Sequence, residues 1–152
     1  MHRHHDRGDY LLLVEDNQDD IDLTLRALGK HQLANEVVVI RDGAEALDFL
    51  LARGQHADRQ GARLPQLLLL DIKLPKLSGL EVLRALRSNP ATQLLPVVIL
   101  TSSREDRDVI ESYARGANSY VQKPVSFEEF TEAVQQLGLY WLILNETTAA
   151  DF

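Results

Sequence analysis

Leu67-Leu68-Leu69-Leu70-Asp71 runs four apolar residues into a single carboxylate, with Pro65 shortly before it and Pro75 shortly after. So short a run cannot make a helix with a polar side. It fits a strand buried on both faces, as the central strands of parallel sheets are. Asp71 then stands where that strand leaves the core. Taken alone, an acid in such a place is an ordinary turn residue, and its meaning depends on what the other strands end in.

Upstream, Tyr10 to Val14 is a first apolar run, ending in Glu15, Asp16 and Asn17, with Asp19 and Asp20 just beyond. Asn17 is placed to cap a helix whose apolar positions Ile21, Leu25 and Leu28 recur at spacings of four and three. Glu36 to Ile40 is a β-branched second strand. Asp42 and Glu45 have capping-box spacing ahead of Ala46, Leu47, Phe49 and Leu50, and Gly54 stands where that helix would stop. Residues 55–66 make a longer polar loop. Downstream of Asp71, Ser78 and Glu81 offer a second capping box for a helix through Leu83 and Leu86, which Asn89-Pro90 ends. Pro96 to Leu100 is a fourth strand finishing in Thr101, Ser102 and Ser103. Ser103 and Asp106 can open a fourth helix containing Val109, Ile110 and Tyr113, closed by Gly116. Asn118 to Gln122 is a short fifth strand running into Lys123-Pro124, and Ser126 with Glu129 caps a fifth helix.

Strand and helix thus alternate five times with mostly short crossovers. That pattern predicts an α/β fold, a doubly wound, flavodoxin-like five-stranded parallel sheet of order 2-1-3-4-5 with helices on both faces. All strand C-termini then share one edge. The polar loop 55–66 lies at the opposite edge, so any role it has is remote from Asp71. The shared edge collects Glu15 and Asp16 from the first strand, Asp71 from the third, Thr101 from the fourth and Lys123 from the fifth. Each is unremarkable singly, as a cap or a turn residue, but coincidence at four matching strand ends is improbable. Three carboxylates in one crevice stay ionised together only beside a cation, and an all-oxygen set favours a hard ion such as Mg²⁺ over zinc. An ammonium and a hydroxyl beside them suit an incoming phosphoryl group.

The chain of 152 residues is long enough for one domain that buries roughly 70% of its unfolded surface. It has no cysteine, which excludes disulfides, thiolate metal sites and thiol catalysis. A net charge of −7, with 16 basic residues scattered along the chain, argues against nucleic-acid binding. No apolar run approaches the ~20 residues of a membrane span, and the polar start is not signal-like. A cytoplasmic location with no membrane partner is expected. Residues 1–9, with His2, His4 and His5, are expected to be a flexible tail, residues 10–145 the domain and 146–152 a second tail, with no output domain.

From Tyr10 to Leu144 the sequence resembles the receiver domains of two-component response regulators. The resemblance rests on Leu13-Val14-Glu15-Asp16-Asn17, Asp42-Gly43-Ala44-Glu45-Ala46-Leu47, Leu69-Leu70-Asp71 with Leu74-Pro75 and Gly79, Leu100-Thr101-Ser102, Gly116-Ala117 and Lys123-Pro124. It implies a phosphoacceptor signalling protein, not a conventional enzyme. Asp71 would take a phosphoryl group from a sensor histidine kinase. Mg²⁺ would be held by Asp16, Asp71 and the backbone carbonyl of Lys73, with Glu15 acting through a metal-bound water where many relatives carry Asp. It further implies that Lys123 pairs with the phosphoryl oxygens, that Thr101 moves to hydrogen-bond one of them, and that Tyr120 is the aromatic that switches with it. The switched surface would lie around the fourth and fifth helices. The Lys123-Pro124 peptide is a candidate cis bond.

The fifth helix carries a core stripe, Phe127, Phe130, Val134, Leu137, Trp141 and Leu144, but residues 139–144 are apolar all round. Such an end needs a second surface to pack on. A homodimer is expected there, with Tyr113, Tyr140 and Trp141 as candidate interface residues and a kinase docking surface as the rival. Asp48-Phe49-Leu50, Ser112-Tyr113, Ala117-Asn118-Ser119-Tyr120 and Tyr140-Trp141-Leu142 resemble the small stand-alone regulators paired with phytochrome-type histidine kinases. Other classes fit less well. A haloacid dehalogenase-type phosphatase needs a second Asp where Lys73 stands, and a flavodoxin-like cofactor binder would meet repulsion from the acids at 15–20. An adaptor that retains the fold and acts through protein contacts without phosphorylation is the alternative reading, and an intact Asp16, Asp71, Thr101 and Lys123 counts against it.

Overall fold

The computed structural model describes residues 10–29, 36–102 and 116–139. Five parallel strands, β1 (Tyr10–Val14), β2 (Glu36–Ile40), β3 (Leu67–Asp71), β4 (Val97–Thr101) and β5 (Ser119–Gln122), form one sheet of order β2-β1-β3-β4-β5. The expected topology is therefore present. The leucine run of β3 is buried on both faces, as its composition required. Leu68 and Leu70 join Leu12, Val14 and Ile99 in a core layer under α2 (Gly43–Leu50) and α3 (Gly79–Arg87). Leu67 and Leu69 join Leu11, Leu13, Val98 and Leu100 in the opposite layer, under α1 (Gln18–Gly29) and the helix Phe127–Gln136. Burying both faces leaves the strand ends as the place where polar chemistry can emerge. No described helix is long and apolar enough to cross a membrane.

Local signals set most helix starts. Asn17 Oδ1 accepts from the Asp20 N–H at 2.9 Å at the head of α1. Ser78 and Glu81 form the full reciprocal box, and Ser126 Oγ accepts from the Glu129 N–H at 3.1 Å. The Asp42 box closes on one side only, Asp42 Oδ1 accepting from the Glu45 N–H at 2.7 Å, while Glu45 Oε2 pairs with His56 Nε2 at 3.0 Å. The stop expected at Gly54 comes earlier: α2 ends at Leu50, and Ala52 takes the positive φ of 52°. Gly54, also left-handed, instead opens a 3₁₀ helix, Gly54–Arg59, inside what the sequence presents as a loop. That turn is held by Arg59, whose guanidinium lies 3.5 Å from the Phe49 ring centroid and donates to the Tyr10 hydroxyl at 3.0 Å. Tyr10 begins β1, so this segment sits at the far edge of the sheet from Asp71, as expected. The Lys123-Pro124 peptide is cis. The fourth helix expected from Ser103 lies outside the described residues.

Candidate functional site

Most site residues are delivered by the ends of strands. Glu15 extends β1 by one more ladder bond, its N–H donating to the Ile40 carbonyl at 3.0 Å, and Asp71 lies opposite Leu100 in the β3–β4 register. Glu15 is fully buried and Asp71 is 3% exposed, whereas Asp16 is exposed at the mouth. One carboxylate oxygen from each of these three residues lies within 4.8 Å of the others. Thr101, fully buried, ends β4, and the Lys123 N–H donates to its carbonyl at 2.7 Å. This bond brings the fifth-strand lysine back over the edge. Lys123 Nζ then lies 2.9 Å from Asp20 Oδ2, 3.1 Å from Glu15 Oε1 and 3.3 Å from Asp71 Oδ1.

The electrostatics follow from this crowding. Burial is the main reason the Glu15 carboxyl is pushed up to about 7. The charge of Asp71 and a hydrogen bond to it add to the effect, while Lys123 and the Asn17 N–H oppose it. Burial works against the Lys123 ammonium, yet its bond to Asp20 and the charges of Asp71 and Glu15 outweigh that and raise its pKa above the ordinary lysine range. Three carboxylates contact one ammonium, and Asp16 adds a further acid. Such a crevice attracts a small hard cation, and the donor set, oxygen throughout, fits Mg²⁺ or Mn²⁺.

The sequence-predicted residues divide cleanly. Glu15, Asp16, Asp71 and Lys123 come together, and Thr101 stands one residue beyond the position that pairs with Asp71. Lys73 follows closely, its N–H donating to Asp71 Oδ1 at 3.4 Å. Tyr120 pairs with Ile99 one strand away and packs half-buried against the α2/α3 core layer. Tyr113, Tyr140 and Trp141 lie outside the described residues. Two residues escaped the sequence argument. Asp20 makes the shortest of the lysine contacts; its only signal is a place among first-turn acids. Arg41 donates to the Asp16 carbonyl at 3.1 Å and to Gln18 Oε1 at 2.6 Å, pinning the β1–α1 loop at the mouth.

Gly79 packs against the backbone of Asp71 and Ile72 with no room for a side chain. A Cβ there would collide with the Asp71 carbonyl oxygen and lie 2.8 Å from Ile72 Cα. These are backbone atoms, which cannot swing aside. Gly79→Ala is therefore expected to cost about 1–3 kcal/mol, the range for overpacking, measured as a lower urea midpoint with an unchanged slope.

Comparison with known proteins identifies the family. The response regulator receiver domain family matches residues 11–135. The bacteriophytochrome response regulator AtBRR is 53% identical and superposes with a TM-score of 0.82, covering 91% of this chain and 98% of that one. Response regulator Rcp1 of Synechocystis sp. is 36% identical over 132 residues, 87% of this chain and 88% of its own. The crystal structure of its Mn²⁺-bound form superposes with a TM-score of 0.68, over 88% of this chain and 94% of that one. The phosphorylated cyanobacterial phytochrome response regulator RcpA is 37% identical with a TM-score of 0.69, over 89% of this chain and 94% of that one. The β2-β1-β3-β4-β5 sheet, the acids gathered at its C-terminal edge and a family match spanning β1 into the last described helix together make this chain a member of the response regulator receiver domain family, with single-domain phytochrome response regulators among its relatives.

Proposed function

We propose that this chain is a phosphorelay response regulator whose Asp71 accepts a phosphoryl group from a histidine kinase of the phytochrome type. The observation that carries the proposal is the Asp71 carboxylate at the end of β3, nearly buried, with Lys123 Nζ at 3.3 Å and Glu15 and Asp16 beside it. An Asp71 carboxylate oxygen attacks phosphorus, the bond from phosphorus to the donor nitrogen breaks, and the leaving histidine keeps the electron pair. No proton is needed at Asp71. Asp16, Asp71 and the Lys73 carbonyl would hold Mg²⁺, with Glu15 acting through water. When bound, the ion supplies charge neutralisation for the transferring phosphoryl oxygens. The Mn²⁺-bound form of Rcp1 and the phosphorylated form of RcpA support this reading.

Lys123 then meets the phosphoryl oxygens, and the Thr101 hydroxyl donates to one of them. Tyr120, on the neighbouring strand, repacks with Thr101. Phosphorylation adds charge and acceptors at the edge of a loop-and-helix surface, shifting a population between two arrangements. Incubation with Mg²⁺ and acetyl phosphate, followed by intact-mass measurement, tests the proposal. A phosphoryl adduct that needs Mg²⁺ and is absent from Asp71→Asn is expected. An unmodified wild type, with a donor that modifies a control receiver, leaves a receiver-fold adaptor acting through protein contacts.

A further inference from the structure

Lys123 Nζ is shared by three carboxylates, Asp20 at 2.9 Å, Glu15 at 3.1 Å and Asp71 at 3.3 Å. Two of these contacts, to Asp20 and Glu15, are hydrogen bonds and the third, to Asp71, is an ion pair, so the resting ammonium is held from the β1–α1 side. A phosphoryl oxygen on Asp71 draws the ammonium toward β3 and so away from one of those two hydrogen-bond partners. Glu15 is a poor candidate. It is fully buried and its second oxygen already accepts the Asn17 N–H at 3.2 Å, so release would strand a buried carboxylate. Asp71 carries the incoming group. Asp20 remains, and its side chain is 31% exposed, so water can replace the lysine. It also stands in the first turn of α1, where the helix dipole favours an acid, with its backbone N–H fixed on Asn17 Oδ1.

We infer that Asp20 is a positioning residue for Lys123: it holds the ammonium on the α1 side of the crevice in the resting protein, gives it up when the phosphoryl group arrives, and so restrains phosphorylation. The inference rests on the assignment of Asp71 as phosphoacceptor. The bond changes are those of that transfer; only a hydrogen-bond partner of Lys123 is exchanged. Asp19, exposed in the same turn, carries the same charge and is not among the three lysine contacts, so it controls for the general field.

The test compares wild type, Asp20→Asn, Asp20→Glu and Asp19→Asn. Adduct formation is timed with Mg²⁺ and subsaturating acetyl phosphate, and the side-chain ¹⁵N resonance of Lys123 is recorded in the metal-free protein. Asp20→Asn is expected to be modified about threefold to tenfold faster, the range set by losing a partly exposed ion pair. Asp20→Glu moves back toward wild type, and Asp19→Asn stays within about twofold. The Lys123 resonance shifts in Asp20→Asn and stays in place in Asp19→Asn. If the wild type is modified but Asp20→Asn behaves like Asp19→Asn in rate or in resonance, the role of Asp20 is overturned. If the resonance moves as expected but the wild type takes no phosphoryl group, the Asp71 assignment falls, and with it the restraint on phosphorylation.

Discussion

Asp71→Asn is expected to take up no phosphoryl group and yet, in metal-free buffer at pH 8, to be more stable than the wild type by about 1–2 kcal/mol, a gain that fades toward pH 5. The loss of the adduct follows from removing the carboxylate proposed as the nucleophile. The stability gain follows from Glu15. Its carboxyl stands at about 7 in the folded protein, against an ordinary glutamate value of 4.5. The folded state therefore binds more protons than the unfolded one between these values, and stability falls as pH rises from about 4.5 through about 7. The span of the shift corresponds to a loss on the order of 3 kcal/mol. Burial is the largest cause and survives the substitution, but the charge of Asp71 and its hydrogen bond, the two causes next in size, do not. Below pH 5 a protonated Glu15 donates to Asp71 and the wild type is at no disadvantage. At pH 8 two carboxylates face each other and the variant gains. Thermal melts in EDTA from pH 5 to pH 8 read this as profiles that diverge with pH, with about 2–4 °C for each kcal/mol. Parallel profiles would show that Asp71 does not perturb Glu15. Added Mg²⁺ should stabilise the wild type more than the variant, because a cation that binds only the folded state stabilises it in proportion to its affinity.

The elements that position this site were legible because they depend on short-range pattern. A run of leucines too short for a helix, caps at Asn17, Ser78 and Ser126, and five β-α alternations fix which strand ends share an edge. The acids, the threonine and the lysine then declare themselves by being at those ends. What the sequence could not show depends on long-range competition for partners. Glu45 has the spacing to complete the Asp42 box but is drawn to His56, eleven residues on, in a segment whose 3₁₀ turn is stabilised by Arg59 on Phe49. Ala52, not glycine, takes the left-handed position after α2; propensity alone assigns that place to Gly54. Asp20 looks like any first-turn acid until the fold brings Lys123, 103 positions away, against it. Arg41 likewise gains a role only once β2 lies beside β1. The apolar end around Trp141, from which a dimer was expected, falls outside the described residues.

Lys123→Met is expected to produce the largest stability loss of any single change at this edge, about 3 kcal/mol at pH 8 without metal. Its ammonium is mostly buried, 12% exposed, and is the cation that the structure shows touching Glu15, Asp20 and Asp71 together. Removing it leaves two nearly dry carboxylates facing each other, where breaking a buried pair costs more than the pair itself contributes. The loss should shrink as pH falls toward 5, because Glu15 can then protonate and donate to Asp71. It should also shrink when Mg²⁺ is added at pH 8, since the carboxylates recover a counter-charge. Phosphorylation should not recover with it. In the proposed transfer the ammonium would supply positive charge to the phosphoryl oxygens in addition to that of a bound ion, so the variant is expected to form the adduct about 10–100-fold more slowly even in saturating Mg²⁺. Urea unfolding with and without Mg²⁺, paired with adduct timing on the same samples, separates the two roles. A variant as stable as wild type in EDTA at pH 8 would mean that the three carboxylates are accommodated without the lysine. A variant rescued in both stability and rate by Mg²⁺ would mean that Lys123 serves only as a resting counter-ion and that the phosphoryl group never engages it.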